Sequence, residues 1–181
     1  MSLKHFRLKL ITAGDYAVGK TSLVKRYLGQ GFSLDYGATV GVECINKSYK
    51  DKEGNFIDLS IWDLAGQVLY RDLAKDYARN ADLIIIVFDV TRKESFDNVT
   101  GWYKTIFDVV EVDKSREITP CMIIGNKIDL RDKRVVDMDE GLKLSESLNS
   151  LYVETSAKED QGVDEAFNNL IIEYIRISKF L

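Results

Sequence analysis

The chain has 181 residues, of which 45% are hydrophobic and 30% are charged, a balance typical of one soluble globular domain. Its net charge is −4 and it contains no basic block, which argues against a nucleic-acid-binding groove. No apolar run approaches the ~20 residues of a membrane-spanning helix, and the single histidine, His5, leaves little material for a zinc site.

Predicted strands and helices alternate along the chain, which favours an α/β fold with a mainly parallel sheet. The predicted strands cover residues 6–13, 41–50, 55–62, 83–90, 121–127 and 151–156. The helical patterns cover residues 21–28, 94–110, 137–149 and 162–178. Asp137 and Glu140 have the spacing of a capping box. Residues 29–39 predict an irregular loop, and the stretch from Asp63 to Asn80 predicts a glycine-bearing loop followed by a polar segment.

The second and third strands differ from the rest because only KDKEGN joins them, which predicts an antiparallel hairpin. The later strands are apolar throughout, as expected for central parallel strands covered on both faces. Cys44 and Cys121 both lie within apolar runs, so we expect two buried free thiols in a reducing compartment and no disulfide.

The sequence GDYAVGKT, which separates the first strand from the first helix, matches the pattern of a phosphate-binding loop. Backbone N–H groups after Gly14 and the helix N-terminus would hold phosphates, with Gly19 allowing the close approach. Lys20 would bridge the terminal phosphates and Thr21 would ligate Mg²⁺. The alternative is a glycine turn before a helix whose lysine is solvated. The loop indicates a nucleoside triphosphate without specifying which one.

The sequence DLAGQ follows the third strand and supplies a second group of candidate residues. Asp63 would hold Mg²⁺ through water, the N–H of Gly66 could contact a γ-phosphate, and Gln67 could orient an attacking water. A simple turn after a strand remains the alternative for this short pattern.

Two further segments, NKID and TSAK, follow the last two strands and bear on the choice of base. The Asp129 carboxylate can accept hydrogen bonds from N1–H and N2–H₂ of guanine, whereas adenine offers no matching donors. Lys127 can lay its alkyl stem along the base. The Ala157 N–H would meet guanine O6, and Ser156 would brace the loop. Taken alone, NKID is also compatible with a polar turn.

These four segments occur in order, each at the carboxyl end of a predicted strand, where α/β folds bind ligands. Together they resemble the Ras-like small GTPases over nearly the whole chain. The resemblance implies one G domain spanning residues 1–181, built as the three-layer sandwich of P-loop NTPases. Its sheet would have six strands, mostly parallel with one antiparallel edge strand, and about five helices. The implied cofactors are GTP or GDP and Mg²⁺.

Within this superfamily the chain is most similar to the Rab proteins. The Rab-like features are Trp62-Asp63 before AGQ, Tyr70-Arg71, and the segments at 86–91, 125–130 and 154–158. The segment TVGVEC resembles the border of the Rab switch I but ends in Cys44 instead of an aromatic residue. The Rho insert, the myristoylated glycine of Arf and the acidic tail of Ran are absent from this sequence.

The resemblance also implies a set of site residues. Phe32 would pack edge-on against guanine, Tyr36 would lie over the phosphates, and Thr39 would complete the Mg²⁺ shell. The implied catalytic residues are Lys20, Thr39, Gly66 and Gln67. The implied nucleotide-binding residues are Asp15, Tyr16, Ala17, Val18, Gly19, Lys20, Thr21, Ser22, Phe32, Tyr36, Thr39, Gly66, Asn126, Lys127, Asp129, Ser156, Ala157 and Lys158. The implied metal ligands are Thr21, Thr39 and Asp63.

The function implied by the resemblance is a molecular switch that hydrolyses GTP and regulates vesicle traffic. Effectors, an exchange factor and a GTPase-activating protein would bind switch I (32–44) and switch II (63–77) of a monomer. Rab proteins end in prenylated cysteines, whereas this chain ends in ISKFL, so either the end was trimmed or the protein is not prenylated. A cytoplasmic protein that cycles to an endomembrane would need a C-terminal lipid anchor that this sequence lacks.

Four residues depart from the family pattern: Tyr16 in the phosphate loop, and Leu64, Val68 and Leu69 around switch II. Tyr16 could crowd Gln67 and slow hydrolysis, rotate outward without effect, or cover the γ-phosphate with its hydroxyl. Val68 and Leu69 could pack locally or offer partners an apolar patch. A GTP-bound scaffold that does not hydrolyse nucleotide is therefore the second hypothesis. A P-loop kinase or ATPase is a third, which the NKID segment disfavours.

Overall fold

The computed structural model describes residues 3–33, 39, 41–66, 71–110 and 119–178, with backbone alone at 71–73. The strands are β1 (His5–Ala13), β2 (Val42–Lys50), β3 (Phe56–Leu64), β4 (Leu83–Asp89), β5 (Cys121–Asn126) and β6 (Leu151–Thr155). The α-helices are α1 (Lys20–Tyr27), α2 (Arg71–Ala78), α3 (Lys93–Asp97), α4 (Val99–Val110), α5 (Met138–Ser147) and α6 (Val163–Ser178). A short 3₁₀ turn spans Arg131–Lys133.

All six strands form one sheet in the order β2-β3-β1-β4-β5-β6. Every neighbouring pair is parallel except β2 and β3, which form the antiparallel hairpin at one edge. Only Asn98 separates α3 from α4, so the described helices occupy five positions around the sheet. The predicted α/β fold, with its single antiparallel edge strand, is confirmed.

The sheet separates two apolar cores, because successive side chains of a strand point to opposite faces. Leu10 of β1 packs with α1 and α6 on one face, whereas its neighbour Ile11 packs with α2 and α4 on the other. The strands β4 and β5 are buried along their whole length. Their continuous apolar runs are therefore explained by helices on both sides.

Two sequence-based expectations need correction. Cys121 is buried, but Cys44 is exposed, because β2 is an edge strand and Cys44 lies on the face opposite the half-buried Ile45, Lys47 and Tyr49. The polar segment before Asn80 contains α2, whose described buried side chains are only Ala74 and Ala78. Such small residues leave no strong apolar period in the sequence.

Elsewhere the local predictions agree with the structure. The predicted capping box forms, since the Asp137 N–H donates to Glu140 Oε2 at 3.0 Å at the start of α5. None of the helices among the described residues is long and apolar enough to cross a membrane. The parallel strands β1, β3, β5 and β6 end at the same edge of the sheet, which brings their following loops together.

Candidate functional site

The loops after β1, β3, β5 and β6 surround a cavity of about 390 Å³. This volume is in the range of small-molecule sites. The predicted site residues that line it are Tyr16, Ala17, Gly19, Lys20, Thr21, Ser22, Phe32, Thr39, Gly66, Asn126, Lys127, Asp129, Ala157 and Lys158. The sequence segments that bear on phosphate, metal and base are thus brought together at a single cavity.

The phosphate loop is shaped by backbone conformations that suit glycine. Gly19, which precedes α1, has φ +99°, and a Cβ there would overlap the side-chain nitrogen of Asn126. Ala17 adopts the same left-handed region with φ +60°. Glycine is therefore required at position 19 both by its backbone angle and by the neighbouring side chain of Asn126.

Lys20, the first residue of α1, is buried beneath this loop. Its Nζ donates to the carbonyl oxygens of Gly14 and Asp15 at 2.9 and 2.8 Å. Burial lowers the pKa of Lys20 to about 8, although the charges of Asp63 and Asp15 oppose that shift. The loop that would bind phosphate therefore holds the Lys20 ammonium in place through its own carbonyl oxygens.

Gly66, on the loop after β3, lies directly against the phosphate loop. A Cβ at this position would overlap the Asp15 carbonyl and would lie 2.5 Å from Lys20 Nζ. Any side chain at position 66 would therefore push the two loops apart.

Three oxygen atoms from different elements meet beside Lys20. Thr21 Oγ1 lies 2.8 Å from Thr39 Oγ1 and donates a short hydrogen bond to Asp63 Oδ2. Asp63 Oδ1 accepts from Thr12 Oγ1 at 2.7 Å. Burial raises the pKa of the Asp63 carboxyl, and the two threonine hydroxyls and Lys20 counteract this shift.

This oxygen set fits Mg²⁺, which binds hard oxygen donors and usually combines one or two carboxylates with water and substrate phosphates. Within the part of the chain that the structure describes, no three His, Cys, Asp or Glu side chains form a cluster that could hold a metal ion. A bound ion would therefore depend on Thr21, Thr39 and Asp63 together with a phosphate-bearing ligand.

Asn126 and Lys127 connect the far end of the cavity to the phosphate loop. Asn126 Nδ2 donates to the Val18 carbonyl at 2.9 Å, and Asn126 Oδ1 accepts from Thr155 Oγ1 at 3.0 Å. Lys127 Nζ donates to the Ala17 carbonyl at 2.7 Å and also pairs with Asp89 at 2.7 Å. These bonds fix the spacing between the two ends of the cavity.

The Asp129 carboxylate lies at the same far end, with its side chain 6% exposed. Asp129 Oδ1 accepts a hydrogen bond from Ser156 Oγ at 2.7 Å, and Lys158 Nζ lies 4.0 Å from Oδ2. The Ala157 N–H donates to Asn126 Oδ1 at 3.2 Å. Ser156 thus connects its loop to the side chain of Asp129, and Phe32 lines the same cavity.

Tyr16 lies at the mouth of the cavity with 53% of its surface exposed. Gln67 and Tyr36 lie outside the described residues, as do Val68 and Leu69. Leu64, in contrast, is buried in the core against α2. The relation of the Tyr16 ring to Gln67 therefore stays a prediction.

Several residues that support the site were missed in the prediction of site residues from the sequence. Arg26 of α1 donates to the Ala157 and Lys158 carbonyls at 2.8 and 2.9 Å. Trp102 of α4 donates to Asp15 at 2.8 Å. Ser33 and Leu130 line the cavity. Only folding brings Arg26 and Trp102 to loops that are distant from them in the sequence.

The sheet, the phosphate loop and the oxygen set together define a P-loop nucleotide-binding protein. The family model described as the Ras family matches residues 9–176. The chain therefore belongs to the Ras family, whose members are small GTPases. These proteins bind GTP or GDP with Mg²⁺ and interact with effectors, exchange factors and GTPase-activating proteins.

Individual relatives match over most of this chain. It is 40% identical over 168 residues to Ras-related protein RGP2 of Oryza sativa subsp. japonica, which covers 93% of this chain and 75% of the relative. It is 35% identical over 181 residues to Ras-related protein Rab-9B of Mus musculus, covering 100% and 89%. It is 39% identical over 166 residues to Ras-related protein Rab-1 of Theileria parva, covering 91% and 73%.

Proposed function

We propose that residues 1–181 form one G domain that binds GTP and GDP with Mg²⁺ and hydrolyses GTP to GDP as a molecular switch. The observation that carries this proposal is the buried Asp129 carboxylate, which shares a cavity with the phosphate loop. A carboxylate in this position can pair with the two adjacent N–H donors of guanine. Adenine offers no matching pair of donors, so the carboxylate would lose contact with water without gaining these two hydrogen bonds, which is costly for a buried charge.

The residues of the cavity divide the work of binding and hydrolysis. Lys20 would exchange its two carbonyl partners for oxygens of the terminal phosphates, and the Gly66 N–H would contact the γ-phosphate. Thr21, Thr39 and Asp63 would hold Mg²⁺, which neutralises charge that develops on the phosphates. Gln67 would orient the water that attacks the γ-phosphorus in line with departing GDP.

Replacement of Asp129 tests the guanine assignment. In Asp129→Asn the amide nitrogen can no longer accept from N2–H₂, but it can donate to the O2 atom that xanthine carries instead. We expect the affinity for GDP to fall by about 100-fold or more, with a gain for the xanthine nucleotide, in equilibrium titrations.

Asp132→Asn is the matched control, because Asp132 is an exposed aspartate three residues away. Mass spectrometry of the nucleotide extracted from purified protein gives an independent check. Unchanged affinity of Asp129→Asn for GDP, or an adenine nucleotide in the extract, would exclude the assignment.

We infer further that Tyr16 keeps hydrolysis slow. Its ring stands at the mouth of the cavity, where an activating arginine would have to enter. Such an arginine accelerates hydrolysis by about 10³–10⁵. A permanently GTP-bound scaffold is the limiting form of this proposal, in which hydrolysis no longer turns the switch off.

The cellular role that best suits a Rab-like switch is control of membrane traffic. The names Rab-9B and Rab-1 of two relatives support this proposal. The protein would act as a monomer that binds partners through residues 32–44 and 63–77. It would be cytoplasmic and would cycle to the cytosolic face of an endomembrane if the full-length protein carries a prenylated tail.

A further inference from the structure

Three side chains from the segment 92–102 bind the phosphate loop from outside the cavity. Trp102 Nε1 donates to Asp15 Oδ1 and Asn98 Nδ2 donates to Asp15 Oδ2, both at 2.8 Å. Arg92 Nη2 donates to the Tyr16 carbonyl at 2.5 Å. We propose that this α3–α4 bracket, formed by Arg92, Asn98 and Trp102, positions the phosphate loop and thereby sets the affinity for the phosphates of the nucleotide.

The carboxylate of Asp15 is the centre of the bracket. Asp15 is 9% exposed, and each of its oxygens receives one hydrogen bond from a neutral donor. Hydrogen bonds to a charged group are stronger than those between neutral groups. The side chain of Asp15 therefore points away from the ligand and anchors the loop.

The backbone of the same residue controls groups inside the cavity. The Asp15 carbonyl accepts the hydrogen bond of Lys20 Nζ at 2.8 Å, and Gly66 packs against that carbonyl so closely that a Cβ would overlap it. A shift of Asp15 would thus move both the lysine and the second loop. The bracket acts through Asp15 and Tyr16 and is a set of positioning residues.

The bracket also reaches α2, most of which lies within the predicted switch II segment 63–77. Trp102 is 1% exposed and belongs to the same buried cluster as Ala74 and Ala78 of α2. One side chain thus packs against α2 and hydrogen-bonds the phosphate loop. A change in the packing of α2 would therefore displace Trp102 and, through its hydrogen bond, Asp15.

The test separates a positioning role from a general effect on folding. Trp102→Phe keeps an aromatic ring in the core and removes the N–H donor. We expect its dissociation constant for GDP to rise about tenfold, as for the loss of one hydrogen bond to a charged group, while the constant for guanosine changes less than about twofold. Both constants are measured by calorimetric titration of the full chain with Mg²⁺.

Trp62→Phe is the matched control, because Trp62 packs near Tyr77 with ring centroids 5.6 Å apart and belongs to another element. Asn98→Ala and Arg92→Ala provide partly exposed alternatives if the buried tryptophan is needed for folding. Arg92→Lys keeps a donor for the Tyr16 carbonyl and should restore part of the loss seen in Arg92→Ala.

The measured affinities test the bracket separately from the proposed guanine-nucleotide function. Selective loss of GDP affinity supports the bracket, whereas equal loss for GDP and guanosine, or no loss for any of the three sites, overturns it. The inference rests on the proposed guanine-nucleotide function. If the unmodified chain itself bound no GDP, that function would fail instead of the bracket.

Discussion

Tyr16 has two separable parts, a carbonyl held by Arg92 and a ring exposed at the mouth of the cavity. The carbonyl bond does not depend on the identity of the side chain. Replacement of the ring therefore leaves that bond available and changes mainly the space at the mouth of the cavity.

Tyr16→Gly should hydrolyse GTP faster than the unmodified chain, because the ring no longer fills the route of an activating arginine. We expect the difference to be about tenfold or more when an activating protein is present, since the arginine contributes about 10³–10⁵. Single-turnover hydrolysis, with and without the activator, measures it.

Tyr16→Phe is the control for this change. It preserves ring volume and removes the hydroxyl, so it should behave like the unmodified chain if volume is what matters. A rate in Tyr16→Phe that matches Tyr16→Gly would assign the effect to the hydroxyl, and equal rates in all three proteins would refute a role for Tyr16.

Arg26 supports the opposite end of the cavity. Its guanidinium donates to two carbonyls of the loop that contains Ala157, so Arg26→Ala should loosen the base end. We expect GDP and guanosine to lose affinity by a similar factor of about five to ten, in contrast to variants of the α3–α4 bracket. Titration of both ligands, with Lys25→Ala as the neighbouring control, tests this expectation. A loss confined to GDP would contradict it.

At the scale of elements, the loop between β3 and α2 approaches the phosphate loop so closely that only glycine fits at position 66. Gly66→Ala should force the loops apart and remove the N–H from the γ-phosphate. We expect the affinity for a non-hydrolysable GTP analogue to fall about tenfold relative to GDP, measured by competition.

Gly31→Ala is the appropriate control for that variant, because a Cβ at Gly31 meets no atom within 4 Å. If Gly66→Ala kept the ratio of the two affinities found in Gly31→Ala, the proposed contact with the γ-phosphate would be wrong.

The elements also show what the sequence could and could not predict. The strands β4 and β5 were predicted because a strand buried on both faces is apolar at every position. The helix α2 was missed because its fully buried described side chains are alanines, and Cys44 was misplaced because an edge strand is covered on one face only. Both errors concern how other elements pack over a strand or helix, which a local sequence pattern does not encode.

The site also has features that the sequence predicts and features that only the folded structure reveals. Loops such as 14–21 have fixed spacing along the chain, so their meeting at one cavity was predictable once the strands were known. The contacts of Asp15 with Asn98 and Trp102 join residues 83 and 87 positions apart. Only the packing of α4 against the sheet creates them.

At the scale of the whole molecule, the cavity is made by loops from four strands, so ligand binding should stabilise the entire sheet. Nucleotide that binds only the folded state adds about 2.7 kcal/mol at about 100 times its Kd. We expect the thermal midpoint to rise with GDP and Mg²⁺, and to fall when EDTA removes the metal, in scanning calorimetry. ADP at the same concentration is the control, and an equal rise with ADP would contradict guanine selectivity.

The two thiols differ in solvent exposure, which allows a dye to be attached selectively to one of them. Cys44 is exposed and lies opposite Trp62 in the β2–β3 ladder, whereas burial raises the pKa of Cys121 to about 12 and hides it from reagents. A maleimide dye would therefore attach at a single native position, beside an intrinsic fluorophore and at the border of switch I. Without any substitution, the chain thus offers one site at which the dye and the neighbouring Trp62 would form a donor–acceptor pair for optical measurement of the proposed nucleotide exchange.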